Sequence, residues 1–449
     1  MRIHFIAIGG AVMHNLAIAL HKKGYQVTGS DDEIFEPSKS RLDKYGLLPP
    51  EWGWHPEKLD KSVDAVILGM HAREDNPELK QARKLGLKIY SFPEYLYEQT
   101  KKKKRVVIAG SHGKTTITSM IMHVLRDNGV SFDYMVGSQL EGFDTMVNLE
   151  ETNRIAVFEG DEYLSSPLDK RPKFMHYKAD IALISGIAWD HMNVFPEYKT
   201  YLEQFTLLTR NMDKDGTLVY NEADEETRKI ANAAPGGIHR IPYQAVNYRV
   251  SNDRLIVYDD GEKTTLNIFG KHNMENLAGA MKIGGLLGVN KQDFLSSMKT
   301  FKGAKKRQEL LSDNGKTKVY LDFAHAPSKV KATVEAFKEM FPDKKLTACL
   351  EIHTYSSLNK NFLPQYKGSL DKADEAALFY NPEVVAHKKM EALSAEVIRE
   401  CFALPRLKVF DNREELEEYL GGKSSVGGVL LLMSSGNFSG MDFERFKGR

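Results

Sequence analysis

The chain has 449 residues, 42% of them apolar, and a formal net charge of +1. That length leaves room for two to four domains with separate cores, and the near-zero charge excludes bulk attraction to nucleic acid or to a membrane surface. Cys349 and Cys401 are the only cysteines, which excludes a disulfide framework and points to a reducing compartment.

Met1 leads straight into an apolar strand, with no signal-peptide pattern and no apolar run of membrane-spanning length, so a cytoplasmic protein is expected. Over the first hundred residues strand patterns at 2–8, 25–28, 65–68 and 88–90 alternate with helical ones. This order predicts a parallel α/β sheet. The first strand runs into Gly9-Gly10-Ala11-Val12-Met13, and the second ends in Gly29-Ser30-Asp31. An acidic residue about 20 positions past a glycine turn is where a Rossmann unit meets a ribose hydroxyl. Gly9, Gly10, Ser30 and Asp31 are therefore candidates for nucleotide binding, against the simpler reading of a βα turn. The basic run Lys101 to Arg105 follows and reads as a solvated linker rather than a nucleic-acid patch.

The next strand leads into Gly110-Ser111-His112-Gly113-Lys114-Thr115-Thr116 and a helical pattern through Ile117, Met120, Ile121 and Val124. Glycines let backbone N–H groups close around phosphate oxygens, and a helix N-terminus favours negative charge. Lys114 can reach terminal phosphates and Thr115 can ligate Mg²⁺. A glycine-capped βα turn explains Gly110 but not Lys-Thr-Thr. Only two residues separate Gly110 from Gly113, a shorter spacing than the common phosphate loop.

Two further strand ends carry metal-type ligands. Glu159, Asp161 and Glu162 follow a strand at 155–158, and Asp190-His191 follows one at 181–187. Hard oxygens with one imidazole suit Mg²⁺ beside ATP; a charged loop and a buried histidine are the plain alternatives. The stretch 237–269, with turns at Asn252-Asp253 and Asp259-Asp260-Gly261, predicts antiparallel hairpins. Helices are expected at 274–287 and 292–301, with His272 or Asn273 as an N-cap. A last α/β unit has strands at 319–323, 346–350, 376–380 and 429–433. Lys305-Lys306-Arg307 opens it and Asp322-Phe323-Ala324-His325 follows. A guanidinium there can clamp a phosphate or lie in a surface run. The fold class is α/β, in three domains spanning 1–103, 104–303 and 304–449.

Taken in order along nearly the whole chain, these motifs resemble the Mur ligases, which make peptidoglycan precursors. The resemblance rests on Gly9-Gly10 with Ser30-Asp31, Gly110 to Thr116, Glu159 with Asp161-Glu162, Asp190-His191-Met192, His272-Asn273 with Asn276, Arg307, and Asp322-Phe323-Ala324-His325. It implies a UDP-sugar-binding Rossmann-like domain (Gly9, Gly10, Ser30, Asp31), a central P-loop ATPase domain and a Rossmann-like C-terminal domain. It implies ATP and Mg²⁺: Lys114 on the β- and γ-phosphates, Thr115, Glu159 and His191 on metal. The rest of the ATP set is Gly110, Ser111, His112, Gly113, Thr116, His272, Asn273, Asn276, Arg307 and Asp322. Glu162 and His325 are the candidates beside the amine. Lys114, Glu159, His191 and Arg307 are expected to be catalytic.

Within the family, Asp169-Lys170-Arg171-Pro172-Lys173-Phe174-Met175-His176-Tyr177 resembles the branch that recycles murein peptides. That branch implies joining UDP-N-acetylmuramate to L-Ala-γ-D-Glu-meso-diaminopimelate through an acyl phosphate. The branch that adds L-alanine and a non-catalytic UDP-muropeptide sensor are the alternatives. Departures from the family pattern are Gly186, Leu321, Ala326, and a loop at 351–356 without its usual arginine. No lysine stands about 15 residues past His191, where several members carry a carbamylated one: Phe205-Thr206-Leu207 occupies the place. No nucleic acid or membrane partner is expected, and the state is expected to be monomer or weak dimer.

Overall fold

Runs of apolar residues too short for helices form the centre of each parallel sheet. The computed structural model describes residues 1–189, 194–259, 261–424 and 427–446. The chain divides into two compact units. The first comprises Met1–Ile187, Lys199–Tyr243 and Gly279–Val289; the second comprises Ala188–Tyr198, Gln244–Ala278 and Asn290–Arg449.

The first unit holds two sheets. One has four parallel strands in the order Gln26–Ser30, Arg2–Ile6, Ala65–Leu68, Ile89–Ser91. The other has seven, in the order His239–Tyr243, Thr217–Asn221, Ile181–Ile184, Lys104–Ala109, Ile155–Glu159, Asp133–Met135, Val147–Asn148. Only Val147–Asn148 pairs antiparallel in it. Val106, Val107, Ile108 and Ala109 are fully buried, as expected of a strand covered on both faces. This strand is flanked by Ile155–Glu159 on one side and Ile181–Ile184 on the other. The loop that follows it therefore lies at a topological switch point, where open parallel sheets bind ligands beyond their carboxyl ends.

The second unit holds an antiparallel meander, Tyr248–Ser251, Arg254–Asp259 and Glu262–Leu266. Asn252 and Asp253 both take positive φ, 52° and 55°, which is the conformation a two-residue hairpin turn requires. Its main sheet runs Glu309–Asp313, Thr317–Asp322, Gly428–Met433, Leu346–Glu351, Glu375–Phe379, Lys408–Phe410, parallel except for the first pair. Side-chain caps mark many helix starts; at Ser91 a capping box joins its hydroxyl and backbone N–H to Glu94.

Three expectations are corrected. His239–Tyr243 is not part of the hairpins; it is the parallel edge strand of the seven-stranded sheet. His272 and Asn273 do not cap their helix, which begins at Lys271. The basic run is solvated at Lys101, Lys102 and Lys104 but not at Lys103 and Arg105. Lys103 pairs with the buried Asp133 at 2.5 Å, and Arg105 is 7% exposed. The Arg105 guanidinium donates to the carbonyls of Thr100, Lys101, Lys103, Tyr177 and Lys178, and contacts Asp180 at 3.0 Å. It satisfies carbonyls that would otherwise be buried without donors, so its removal leaves several polar groups unpaired. Arg105→Met, which keeps the apolar stem, is expected to destabilise the protein by about 3 kcal/mol in urea unfolding.

Candidate active site

The carbonyl end of Lys104–Ala109 turns through Gly110 (φ 127°) and Gly113 (φ 77°) into the helix Lys114–Asp127. Both angles suit glycine. A Cβ on Gly110 would also stand 2.2 Å from Ser185 Oγ, so the flanking strand end excludes any side chain there. The Ser111 N–H donates to the Gly186 carbonyl at 2.8 Å.

Lys114 Nζ donates to Gly110 O at 2.6 Å and to Glu162 Oε2 at 2.7 Å. Burial works against its charge, but the carboxylates of Glu162, Asp161 and Glu159 outweigh it and hold the ammonium above its usual range. Lys114 is therefore cationic throughout the working pH range. Thr115 Oγ1 donates to Glu159 Oε1 at 2.9 Å, and Gly137 N–H donates to Glu159 Oε2 at 2.7 Å. A hydroxyl, a carboxylate and a lysine thus converge on one helix N-terminus. Hard oxygen donors there fit Mg²⁺, and the glycine turn fits a phosphate chain. His191, the expected imidazole ligand, lies outside the described residues, as does Asp190.

Next along the chain, Asp161 Oδ2 accepts from Lys173 Nζ at 2.5 Å, and the Phe174 N–H donates to the Asp161 carbonyl at 3.2 Å. A bridge between Leu164 and Pro172 closes the intervening segment. Arg171 binds Asp169 through Nη2 at 2.7 Å. Glu94, Asp169 and His176 bring three potential ligand atoms within 4.8 Å of one another. The Arg171 guanidinium stands on both carboxylates, 3.8 Å from Glu94, so the group is an ion network. Burial holds the His176 imidazole below its usual range despite these carboxylates.

In the four-stranded sheet the Gly9 N–H donates to Asp31 Oδ2 at 2.7 Å. Asp31 Oδ1 accepts from the Asp32 N–H at 3.0 Å. Asp31 is a buried organiser of the Gly9-Gly10 turn. A Cβ on Gly9 would stand 2.9 Å from that same oxygen, which explains the glycine. Ser30 Oγ accepts from Lys58 Nζ at 3.3 Å.

In the second unit Asn273 Nδ2 donates to the Phe269 carbonyl at 3.0 Å and to Gln308 Oε1 at 3.1 Å. Asn276 Nδ2 donates to Asn273 Oδ1 at 3.2 Å. The buried Asp322 accepts from the N–H groups of Gln308 and Ala324, each at 2.8 Å. The Arg307 guanidinium lies over the Phe323 ring at 4.5 Å. Burial lowers the His272 pKa, against the field of Asp322. His325 Nδ1 lies 2.8 Å from the Phe323 carbonyl. His272, Asn273, Asn276, Arg307 and Asp322 are thus drawn around one element pair. Gln308, which ties them together, was missed: a lone glutamine after a basic run carries no pattern, and its positive φ of 50° is not legible in sequence. Tyr201 was missed for a similar reason. Its hydroxyl reaches Glu162 at 2.8 Å from a helix far along the chain.

With this geometry in view, the comparisons with known proteins are specific. The Mur ligase family catalytic domain matches residues 2–104, the Mur ligase middle domain residues 108–284, and the Mur ligase glutamate ligase domain residues 306–436. The chain belongs to the Mur ligase family. It is an ATP-dependent amide-forming ligase with the three-domain Mur fold. UDP-N-acetylmuramate–L-alanyl-γ-D-glutamyl-meso-2,6-diaminoheptandioate ligase of Haemophilus influenzae is 28% identical over 98% of this chain and 97% of its own. UDP-N-acetylmuramate–L-alanine ligase of Pediococcus pentosaceus is 31% identical over 84% of this chain and 83% of its own. Among solved structures, a murein peptide ligase from Psychrobacter arcticus superposes with TM-score 0.68 at 23% identity, covering 98% of this chain and 97% of that one. UDP-N-acetylmuramate–alanine ligase from Thermotoga maritima gives TM-score 0.71 at 22% identity, covering 99% and 98%. Both structural matches establish the fold. No helix among the described residues is long and apolar enough to cross a membrane.

Burial, joined by the Asp32 carboxylate and opposed by the Gly9 hydrogen bond, raises the Asp31 pKa to about 6 from 3.8. The folded state then binds more protons than the unfolded one between those values, so this group's contribution to stability falls as pH rises from about 4 to about 6. The stability difference between the parent and Asp31→Asn, measured by urea unfolding, is expected to decline across that window.

Proposed function

We propose that this ligase joins UDP-N-acetylmuramate to a recycled murein peptide, L-Ala-γ-D-Glu-meso-diaminopimelate, in the cytoplasm. The observation that carries the peptide reading is the segment 169–177. Its Lys173 pairs with Asp161, next in the chain to Glu162 of the Lys114–Glu162 pair, so the segment is tied to the carboxylates beside the phosphate loop. Two relatives whose names give the same tripeptide ligase activity, from Haemophilus influenzae and Escherichia coli, align over 98% of this chain.

The reaction is amide formation in two steps. The lactyl carboxylate of UDP-N-acetylmuramate attacks the γ-phosphorus of ATP, giving an acyl phosphate and ADP. The peptide's free amine then attacks the acyl carbon, and phosphate leaves. The protein's task is positioning and charge neutralisation. Lys114 neutralises the β- and γ-phosphate oxygens, with the N–H groups of Gly110 to Thr116 around them. Thr115, Glu159 and His191 are the residues assigned to hold Mg²⁺, which supplies further charge neutralisation when bound. A structural relative, a MurF ligase from Thermotoga maritima, was solved in complex with ADP (TM-score 0.61, 16% identity, 86% of this chain and 87% of that one).

His272, Asn273 and Asn276 are assigned to the adenine side of ATP, and Arg307 and Asp322 are assigned to ATP as well. Gly9, Gly10, Ser30 and Asp31 shape the UDP-sugar site, Asp31 by holding the turn. His325 is assigned to orienting the amine, whereas Glu162, the other candidate, is fully buried with its oxygens on Lys114 and Tyr201 and is assigned to holding Lys114. The domains are taken as 1–103, 104–303 and 304–449, in a monomer or weak dimer. The L-alanine ligase is the second reading, favoured by the 31% identity to the Pediococcus enzyme.

ADP release with UDP-N-acetylmuramate, ATP and Mg²⁺ separates these readings when tripeptide, tetrapeptide and L-alanine are offered in parallel. Turnover is expected with peptide and not with alanine; turnover with alanine alone moves the protein to the other branch. Lys114→Ala is expected to lower acyl-phosphate formation at least a hundredfold, about 3 kcal/mol, while UDP-N-acetylmuramate still binds by calorimetry. Loss of sugar-nucleotide binding as well would refute the separation of the two sites.

A further inference from the structure

Tyr201 is fully buried on the helix Tyr198–Arg210, with its ring edge-on to Phe205 at 5.4 Å. A tyrosine in such a place needs a partner for its hydroxyl. Here the oxygen stands 2.7 Å from Ser111 Oγ and 2.8 Å from Glu162 Oε1. An ionised carboxylate only accepts, so Tyr201 donates to Glu162 and the Ser111 hydroxyl donates to Tyr201. The other oxygen of Glu162 accepts from Lys114. The result is a chain of hydrogen bonds, Ser111 to Tyr201 to Glu162 to Lys114, whose two ends both belong to the phosphate loop.

Glu162 has no solvent exposure. A buried carboxylate places its charge on whatever donors surround it. With the tyrosine hydroxyl on one oxygen, part of that charge is satisfied away from Lys114, and the carboxylate is fixed in one rotamer. Without it, the carboxylate leans harder on the ammonium and draws it from the phosphate side. The same hydroxyl fixes the Ser111 side chain and with it the turn between Gly110 and Gly113.

We propose that Tyr201 is a positioning residue for phosphoryl transfer, acting through Glu162 on Lys114 and through Ser111 on the loop. This inference rests on the reading of the loop as the ATP site. Tyr201→Phe keeps the ring and its packing on Phe205 and removes only the oxygen. A hydrogen bond to a buried charge corresponds to a loss of about tenfold to a hundredfold. That loss is expected in kcat/KM for ATP and in ATP affinity by calorimetry, with the KM for UDP-N-acetylmuramate within about twofold of the parent. In a double-mutant cycle with Glu162→Gln, the two losses are expected to be less than additive, because the part of the tyrosine's effect that passes through that carboxylate is already gone. Ser111→Ala is expected to give a smaller loss of the same ATP-selective kind.

An ATP affinity unchanged in Tyr201→Phe would overturn the inference. So would a loss spread equally over all substrates with a lowered melting temperature, or full additivity with Glu162→Gln. Failure of the parent protein itself to bind ATP would instead overturn the reading of the loop.

Discussion

One ammonium among three carboxylates organises the central region. Lys114 is drawn by Glu159, Asp161 and Glu162, and each carboxylate is also held from another direction. Thr115 and the Gly137 N–H hold Glu159, Lys173 holds Asp161, and Tyr201 holds Glu162. Charges this close repel one another unless each has a local partner. The strand order makes the arrangement possible, since the phosphate-loop strand lies between the strand that ends at Glu159 and the strand that precedes Ser185.

The parts of the site written in contiguous residues were legible in the sequence. Lys-Thr-Thr after a glycine turn, carboxylates at the end of an apolar strand and the Asn252-Asp253 hairpin turn each signal locally, because backbone angle and residue type are coupled over a few positions. Parallel α/β organisation was legible from alternating patterns for the same reason. The partners contributed across the fold were not. Nothing around Tyr201, Gly137 or Gln308 in sequence says which distant group each will meet.

The errors have a common physical source. A basic run looks solvated when only charge is counted, yet Arg105 is buried because carbonyls at the start of a strand and after the helix Lys173–His176 needed donors. His239–Tyr243 has the short alternating look of a hairpin strand, and its place at the sheet edge, exposed on one side, produces that same alternation. Asp31, a candidate for nucleotide binding, also accepts from two backbone N–H groups, a role that its position in the sequence does not announce.

The Lys173–Asp161 contact joins the segment 169–177 to the carboxylates beside Lys114. A change of charge at Lys173 is felt by Asp161, whose carboxylate also acts on Lys114. Substitutions in the two would therefore have to be compensated together, and the segment could not be exchanged without also resetting the charge at Asp161.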